Sequence, residues 1–151
     1  MLELAVTIGM TVGSFLLFGY WFRYTCVLIL STKTVRDYAR AVAAANRLGF
    51  LEIQERLRGC ASANLDQIHA ALDRDYGVIV SLMSALSREG DGQASLETGM
   101  LQLNYRCMAA WSRFSRRFSM QSSCRALEEM SQIVAYLANL MGEQAASPAA
   151  A

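Results

Sequence analysis

Apolar and polar positions are divided unevenly along the 151 residues. From Leu4 to Phe22 the chain reads LAVTIGMTVGSFLLFGYWF, 19 residues without a charge. Arg23 interrupts the run, and YTCVLILST continues it to Lys33. Nineteen helical residues reach about 28 Å, against a hydrocarbon thickness of about 30 Å. A single transmembrane helix is therefore predicted. Phe18, Tyr20, Trp21, Phe22 and Tyr24 cluster as aromatics do at headgroup level, so Tyr20, Trp21, Arg23 and Tyr24 are expected at the membrane interface, with Arg23 snorkelling outward. A second register, Ile8–Leu30, would instead put Arg23 inside the bilayer, paired with a partner. Signal cleavage is not expected: only Glu3 precedes the apolar run, and Ala43, Ala44 and Ala45 come after three basic side chains.

Past the span the period changes to that of amphipathic helices. Val35, Tyr38, Val42 and Ala45 predict that the first helix continues over residues 33–48, with Gly49 as its stop. Phe50, Ile53 and Leu57 mark a short helix ended by Gly59. Asn64 with Gln67 resembles a capping box, followed by Leu65, Ile68, Leu72, Tyr76, Ile79, Met83 and Leu86 on one face. Ser87–Ala94 reads as a loop, and Ser95 as the cap of the next helix. That helix carries the stripe Leu96, Met100, Leu103, Cys107, Trp111, Phe114 and Phe118. After a break over Ser119–Ser122, Leu127, Met130, Val134, Leu137 and Met141 define a last helix, and Gly142 follows them. The expected fold is all-α: an N-terminal transmembrane helix (residues 1–32) continuing into a small cytoplasmic bundle of about four helices (33–145). Residues 146–151 are expected to form a flexible tail.

Composition sharpens this picture in three ways. The 18% charged fraction is an average. Leu4–Leu30 holds Arg23 alone, while the other 124 residues are about 21% charged, nearer the ~25% of soluble domains. A single proline and the lack of β-branched alternation argue against an all-β fold. The net charge of +1 removes the simplest case for a nucleic-acid partner.

Basic residues also orient the span. Arg23, Lys33, Arg36 and Arg40 lie at or after its C-terminal end and Glu3 before it, so the N-terminus is expected outside and the bundle in the cytoplasm. Thirteen arginines against one lysine read as the coding bias of a GC-rich genome, hence the inner membrane of a bacterium. In that reducing compartment Cys26, Cys60, Cys107 and Cys124 are expected as free thiols.

Candidate chemistry is sparse. Ala5, Gly9 and Gly13 form a small-xxx-small series suited to close helix packing in lipid, against itself or another membrane subunit, with Thr7 and Ser14 nearby. Residues 106–125 carry Arg106, Arg113, Arg116, Arg117 and Arg125 and no acid. Within WSRFSRRF the aromatics Trp111, Phe114 and Phe118 are expected to face the core, with a solvated basic back. Read functionally, Arg113, Arg116 and Arg117 are candidates for contact with an acidic partner or lipid headgroups. Acids concentrate elsewhere, at Asp66, Asp73, Asp75, Glu89 and Asp91, and basic and acidic helices can complement one another inside the bundle. His69, with Asp66 and Asp73 on its helical face, is the single His–carboxylate cluster and a weak enzyme signal beside an ordinary hydrogen-bonded histidine. No cysteine spacing, phosphate loop or nucleophile elbow indicates a metal, cofactor or small-molecule substrate.

The reading is thus a single-pass accessory, assembly or scaffold subunit, not an enzyme, partnered by the bilayer and by other membrane subunits or itself. The alternative is a membrane-tethered regulator whose bundle binds a soluble partner or anionic headgroups.

Overall fold

A computed structural model describes residues 1–31, 37–58, 64–86 and 92–146, with side chains described except at 86 and 92–95. These residues form six helices and, among them, no strand: α1 (Leu2–Ser31), α2 (Ala39–Asn46), α3 (Phe50–Arg58), α4 (Leu65–Leu86), α5 (Gly92–Ser115) and α6 (Met120–Ala146). The chain divides into two compact units, Met1–Lys33 and Thr34–Ala151.

The first unit is α1. It is the one described helix long and apolar enough to cross a membrane. Thirty residues extend about 45 Å, some 15 Å more than the hydrocarbon layer. The hydroxyls that could burden such a helix are satisfied within it: Thr7 donates to the Glu3 carbonyl at 2.8 Å and Thr11 to that of Thr7 at 2.8 Å. Thr25 likewise donates to Trp21 at 2.9 Å. Thr7 is thus already bonded without a partner helix.

Among the described residues the second unit has five helices rather than about four, two of them short. Residues 32–36, part of the expected continuation of α1, lie outside the described residues. Beyond them Asp37 and Tyr38 are not helical, so no single helix runs over 33–48. Here the chain is turned by a tertiary contact that no local pattern encodes: the Tyr38 N–H donates to Asn139 Oδ1 of α6 at 2.6 Å. Nor does Gly49 stop α2. Arg47 does so, in the left-handed region at φ 54°, while the Leu48 N–H closes onto the Ala43 carbonyl at 2.9 Å. Gly49 instead sits at the start of α3, where its N–H meets the buried Asp75 carboxylate at 2.8 Å. A carboxylate there satisfies an orphan donor and suits the positive end of the helix dipole.

α6 organises the unit. It packs against α2, α3, α4 and α5, and its buried positions run from Ser123 to Gly142. Leu127, Met130, Ile133, Val134 and Leu137 are fully buried. Phe50, Ile53 and Leu57 of α3 and Ile68, Leu72, Ile79 and Met83 of α4 complete the core, as their spacing predicts. The start of α6 is marked by Ser119, whose hydroxyl accepts the Ser122 N–H at 3.3 Å, so the expected break over Ser119–Ser122 closes before Met120. α5 begins at Gly92, three residues before the expected cap Ser95. The rest of the expected loop, 87–91, lies outside the described residues.

Gly142 permits the closest approach in this unit. A Cβ there would overlap the Tyr38 side chain and sit 3.4 Å from Val42 Cγ2. Gly142→Ala is expected to cost about 1–3 kcal/mol through overpacking. Thermal unfolding of the full chain in mild detergent checks this, since an unchanged Tm would mean that the Tyr38–α6 contact yields freely.

Candidate functional site

α4 and α5 both lie on α6, and their backbones scarcely approach each other. Long polar and aromatic side chains cross between them. The Tyr76 and Tyr105 rings stack face to face, 3.9 Å between centroids and 4° from parallel. The Tyr105 hydroxyl donates to Asp73 Oδ1 at 2.9 Å. Arg113 bridges two acceptors, with Nε at 3.2 Å from His69 Nε2 and Nη2 at 3.4 Å from Asp73 Oδ2. Arg116 pairs with Asp66 and reaches the Leu65 carbonyl at 3.3 Å. Acids of α4 therefore meet arginines of α5.

His69 lies at the centre of this seam and is buried. Its Nδ1 is 3.0 Å from Ser112 Oγ and its Nε2 is 3.3 Å from Asp73 Oδ2. Serine, histidine and aspartate in line resemble a nucleophile–base–acid relay, but the proton sits on the wrong nitrogen for it. Arg113 is always a donor and its Nε–H is aimed at Nε2, which favours the tautomer with the lone pair on Nε2 and the hydrogen on Nδ1. Nδ1–H then donates to Ser112, and the Ser112 hydroxyl points to the Ala109 carbonyl at 3.2 Å. In this tautomer His69 cannot take a proton from Ser112, which is fully buried as well. Burial holds the imidazole pKa below its ordinary value, against the pull of Asp73 and aided by the Arg113 charge. Burial, with Asp73 adding to it, pushes the Tyr105 phenol far above its usual range. The seam joins two helices and holds a neutral histidine. Asp66, expected beside His69, is engaged by Arg116 instead.

The aromatic stripe of α5 faces the other way from the sequence expectation. Trp111 is 49% exposed, Phe114 58% and Phe118 75%. Leu96, Leu103 and Cys107 are exposed on the same stripe. The core side of α5 consists of Leu101, Asn104, Tyr105, Met108, Ser112 and Ser115, turned by about a third of a revolution at 100° per residue. Three of those six are polar, which hid the core side from a search for apolar periodicity. Asn104 donates to Glu129 of α6 at 3.0 Å, and the Ser123 hydroxyl of α6 donates to the Ser112 carbonyl at 3.1 Å. Trp111, Phe114 and Phe118 form a continuous surface, with centroid separations of 5.9 and 5.2 Å. Of the three candidate arginines, Arg113 and Arg116 are engaged with α4. Arg117 is exposed, with no ion pair among the described residues.

On α1, Ala5, Gly9 and Gly13 are exposed, and a Cβ at either glycine would meet nothing within 4 Å. Tyr20, Trp21, Arg23 and Tyr24 are exposed too, with Trp21 and Tyr24 edge to face at 6.2 Å. Cys26 and Cys107 are outside any disulfide, whereas Cys124 is disulfide-bonded, against the expectation of four free thiols. Among the described residues no three His, Cys, Asp or Glu side chains are grouped to hold a metal ion. Comparison with known protein families, curated proteins and solved structures finds no match to this chain.

The lowered His69 pKa fixes a pH dependence. The unfolded chain takes up a proton near pH 6.5 and the folded one only below that, so this stability is complete above 6.5 and is lost as pH falls through the folded value. The Tm of the full chain is expected to fall on acidification below 6.5, and His69→Gln to flatten that slope. An identical slope in the variant would mean that His69 does not titrate in this way.

Proposed function

We propose that this protein is a single-pass, membrane-anchored, non-enzymatic subunit that serves the assembly or scaffolding of a larger membrane complex. The observation that carries the reading is α1: an apolar helix of 30 residues with an open Ala5–Gly9–Gly13 face. Small residues let a second helix backbone approach closely in lipid, where packing must hold the pair. Tyr20, Trp21, Arg23 and Tyr24 suit the headgroup layer and would fix the depth of the span. The neutral, bonded state of His69 supports a structural rather than catalytic seam.

The exposed α5 stripe favours a second reading, a tethered regulator whose helical unit captures a soluble partner or anionic headgroups through Trp111, Phe114 and Phe118, beside Arg113, Arg116 and Arg117. A bacterial inner membrane is the proposed location, with the N-terminus outside and the helical unit cytoplasmic, on the strength of Arg23, Lys33, Arg36 and Arg40. The Cys124 disulfide opposes that orientation, because disulfides persist in oxidising compartments.

Purification from native membranes in mild detergent tests the subunit reading. A stoichiometric membrane partner is expected, lost on Gly9→Ile with Gly13→Ile. Recovery solely as a monomer would overturn it. Orientation is decided by a reporter fused after Ala151. Activity in the cytoplasm is expected, and activity on the outer side would reverse the topology and place the disulfide where it is stable.

A further inference from the structure

The face of α5 that carries Leu103, Cys107, Trp111 and Phe114, extended by Phe118 in the turn after the helix, has no covering element among the described residues. Solvent-exposed aromatics in a contiguous set are uncommon on a soluble domain and mark a surface that meets another phase or another molecule. Charge decides between the two. At 100° per residue, Arg106 and Arg113 share one flank of the stripe, two turns apart, and Arg117 follows in the turn after α5. Arg113 is neutralised by Asp73, and Arg116 by Asp66. Arg106 and Arg117 are exposed and form no ion pair among the described residues. Arg106 reaches the Tyr76 hydroxyl, an uncharged partner. An apolar aromatic stripe beside uncompensated arginines, on a helix parallel to its own surface, has the chemistry of an interfacial helix. Its rings enter the headgroup–acyl boundary while guanidinium groups stay at the phosphates.

We infer that α5 and the turn that follows it dock on an anionic phospholipid surface through Leu103, Trp111, Phe114 and Phe118, with Arg106 and Arg117 on the phosphates. A second copy of the chain is the less suited occupant, since two such faces in the same alignment would set Arg106 and Arg117 against their own kind. The inference rests on the membrane anchorage of α1 proposed above. That anchorage makes the bilayer the surface already within reach, so docking needs little intrinsic affinity.

The chain has two tryptophans, Trp21 and Trp111, which allows each unit to be read separately. Full-length Trp21→Phe protein is reconstituted in vesicles of phosphatidylcholine, alone or mixed with phosphatidylglycerol, containing lipids brominated near the carbonyl end of the acyl chains. Trp111 emission is expected to shift to the blue and be quenched in the anionic vesicles, less so in the zwitterionic ones or at high salt. Arg106→Gln with Arg117→Gln is expected to lower the docked-to-undocked ratio by about 30-fold. In the companion Trp111→Phe protein, Trp21 is expected to be quenched by bromine whatever the lipid charge. Trp21 quenched with Trp111 unquenched in anionic vesicles overturns the docking inference alone. Neither tryptophan quenched overturns the anchorage and the docking with it. Efficient bismaleimide cross-linking of Cys107 between copies, with Trp111 unquenched, assigns the face to a second copy and also overturns the inference.

Discussion

The rotation of α5 about its own axis is the constraint on which the rest of the second unit depends. That rotation is set by the polar seam with α4 rather than by apolar burial. Arg113 donates to both His69 and Asp73, Tyr105 donates to Asp73, and His69 donates to Ser112. A buried histidine and a buried serine each cost free energy unless satisfied, and the contacts that satisfy them also fix which α5 side chains face inward. Turning α5 by about a third of a revolution would bury Trp111 and Phe114. The same turn would strand His69 without its donor and Asp73 without both of its partners. The polar groups therefore select the rotation, and the aromatics are left outside as a result.

α6 makes this possible because it is buried over most of its length and serves α2, α3, α4 and α5 alike. With α4 and α5 both packed on α6, a gap between them remains that short apolar side chains would leave void. Arginine and tyrosine are long enough to cross it, and the stacked Tyr76–Tyr105 pair fills its apolar part. Elsewhere the unit uses the same device of a single polar contact holding a chain turn. Asp75 caps α3 through Gly49, and Asn139 holds the Tyr38 N–H while the Tyr38 side chain lies close against Gly142.

Much of this architecture was legible in the sequence, and the failures have one cause. In α3, α4 and α6 the apolar positions at three- and four-residue spacing are the buried ones, from Phe50, Ile53 and Leu57 to Leu127, Met130, Val134 and Leu137. The span in α1 was legible for the simpler reason that 19 uncharged residues need no partner helix to be recognised. α5 misled because it carries two candidate faces, and the more apolar of them is not the buried one. Complementary charge on α4 and α5 was visible as a difference between segments. Its pairings were not, because Asp73 with Arg113 and Asp66 with Arg116 join residues 40 and 50 positions apart through a rotation that local spacing does not encode. The turn at Tyr38 escaped for the same reason: its determinant, Asn139, is 101 positions away.

A helix with two apolar faces and one core to pack against leaves one face unspent. Leaving Trp111 49%, Phe114 58% and Phe118 75% exposed forgoes part of the roughly 1.5–3 kcal/mol that full burial of each ring would give, in a fold whose whole margin is of order 5–15 kcal/mol. A chain selected only for the stability of this unit would place Arg or Gln at those three positions, since α5 is already locked by its seam and its contacts with α6. Trp111, Phe114 and Phe118, about half or more exposed beside Arg106 and Arg117, which form no ion pair among the described residues, fit the docking proposed for this face. On that proposal the rings are available for docking only while the seam holds the helix in the rotation that keeps them outward.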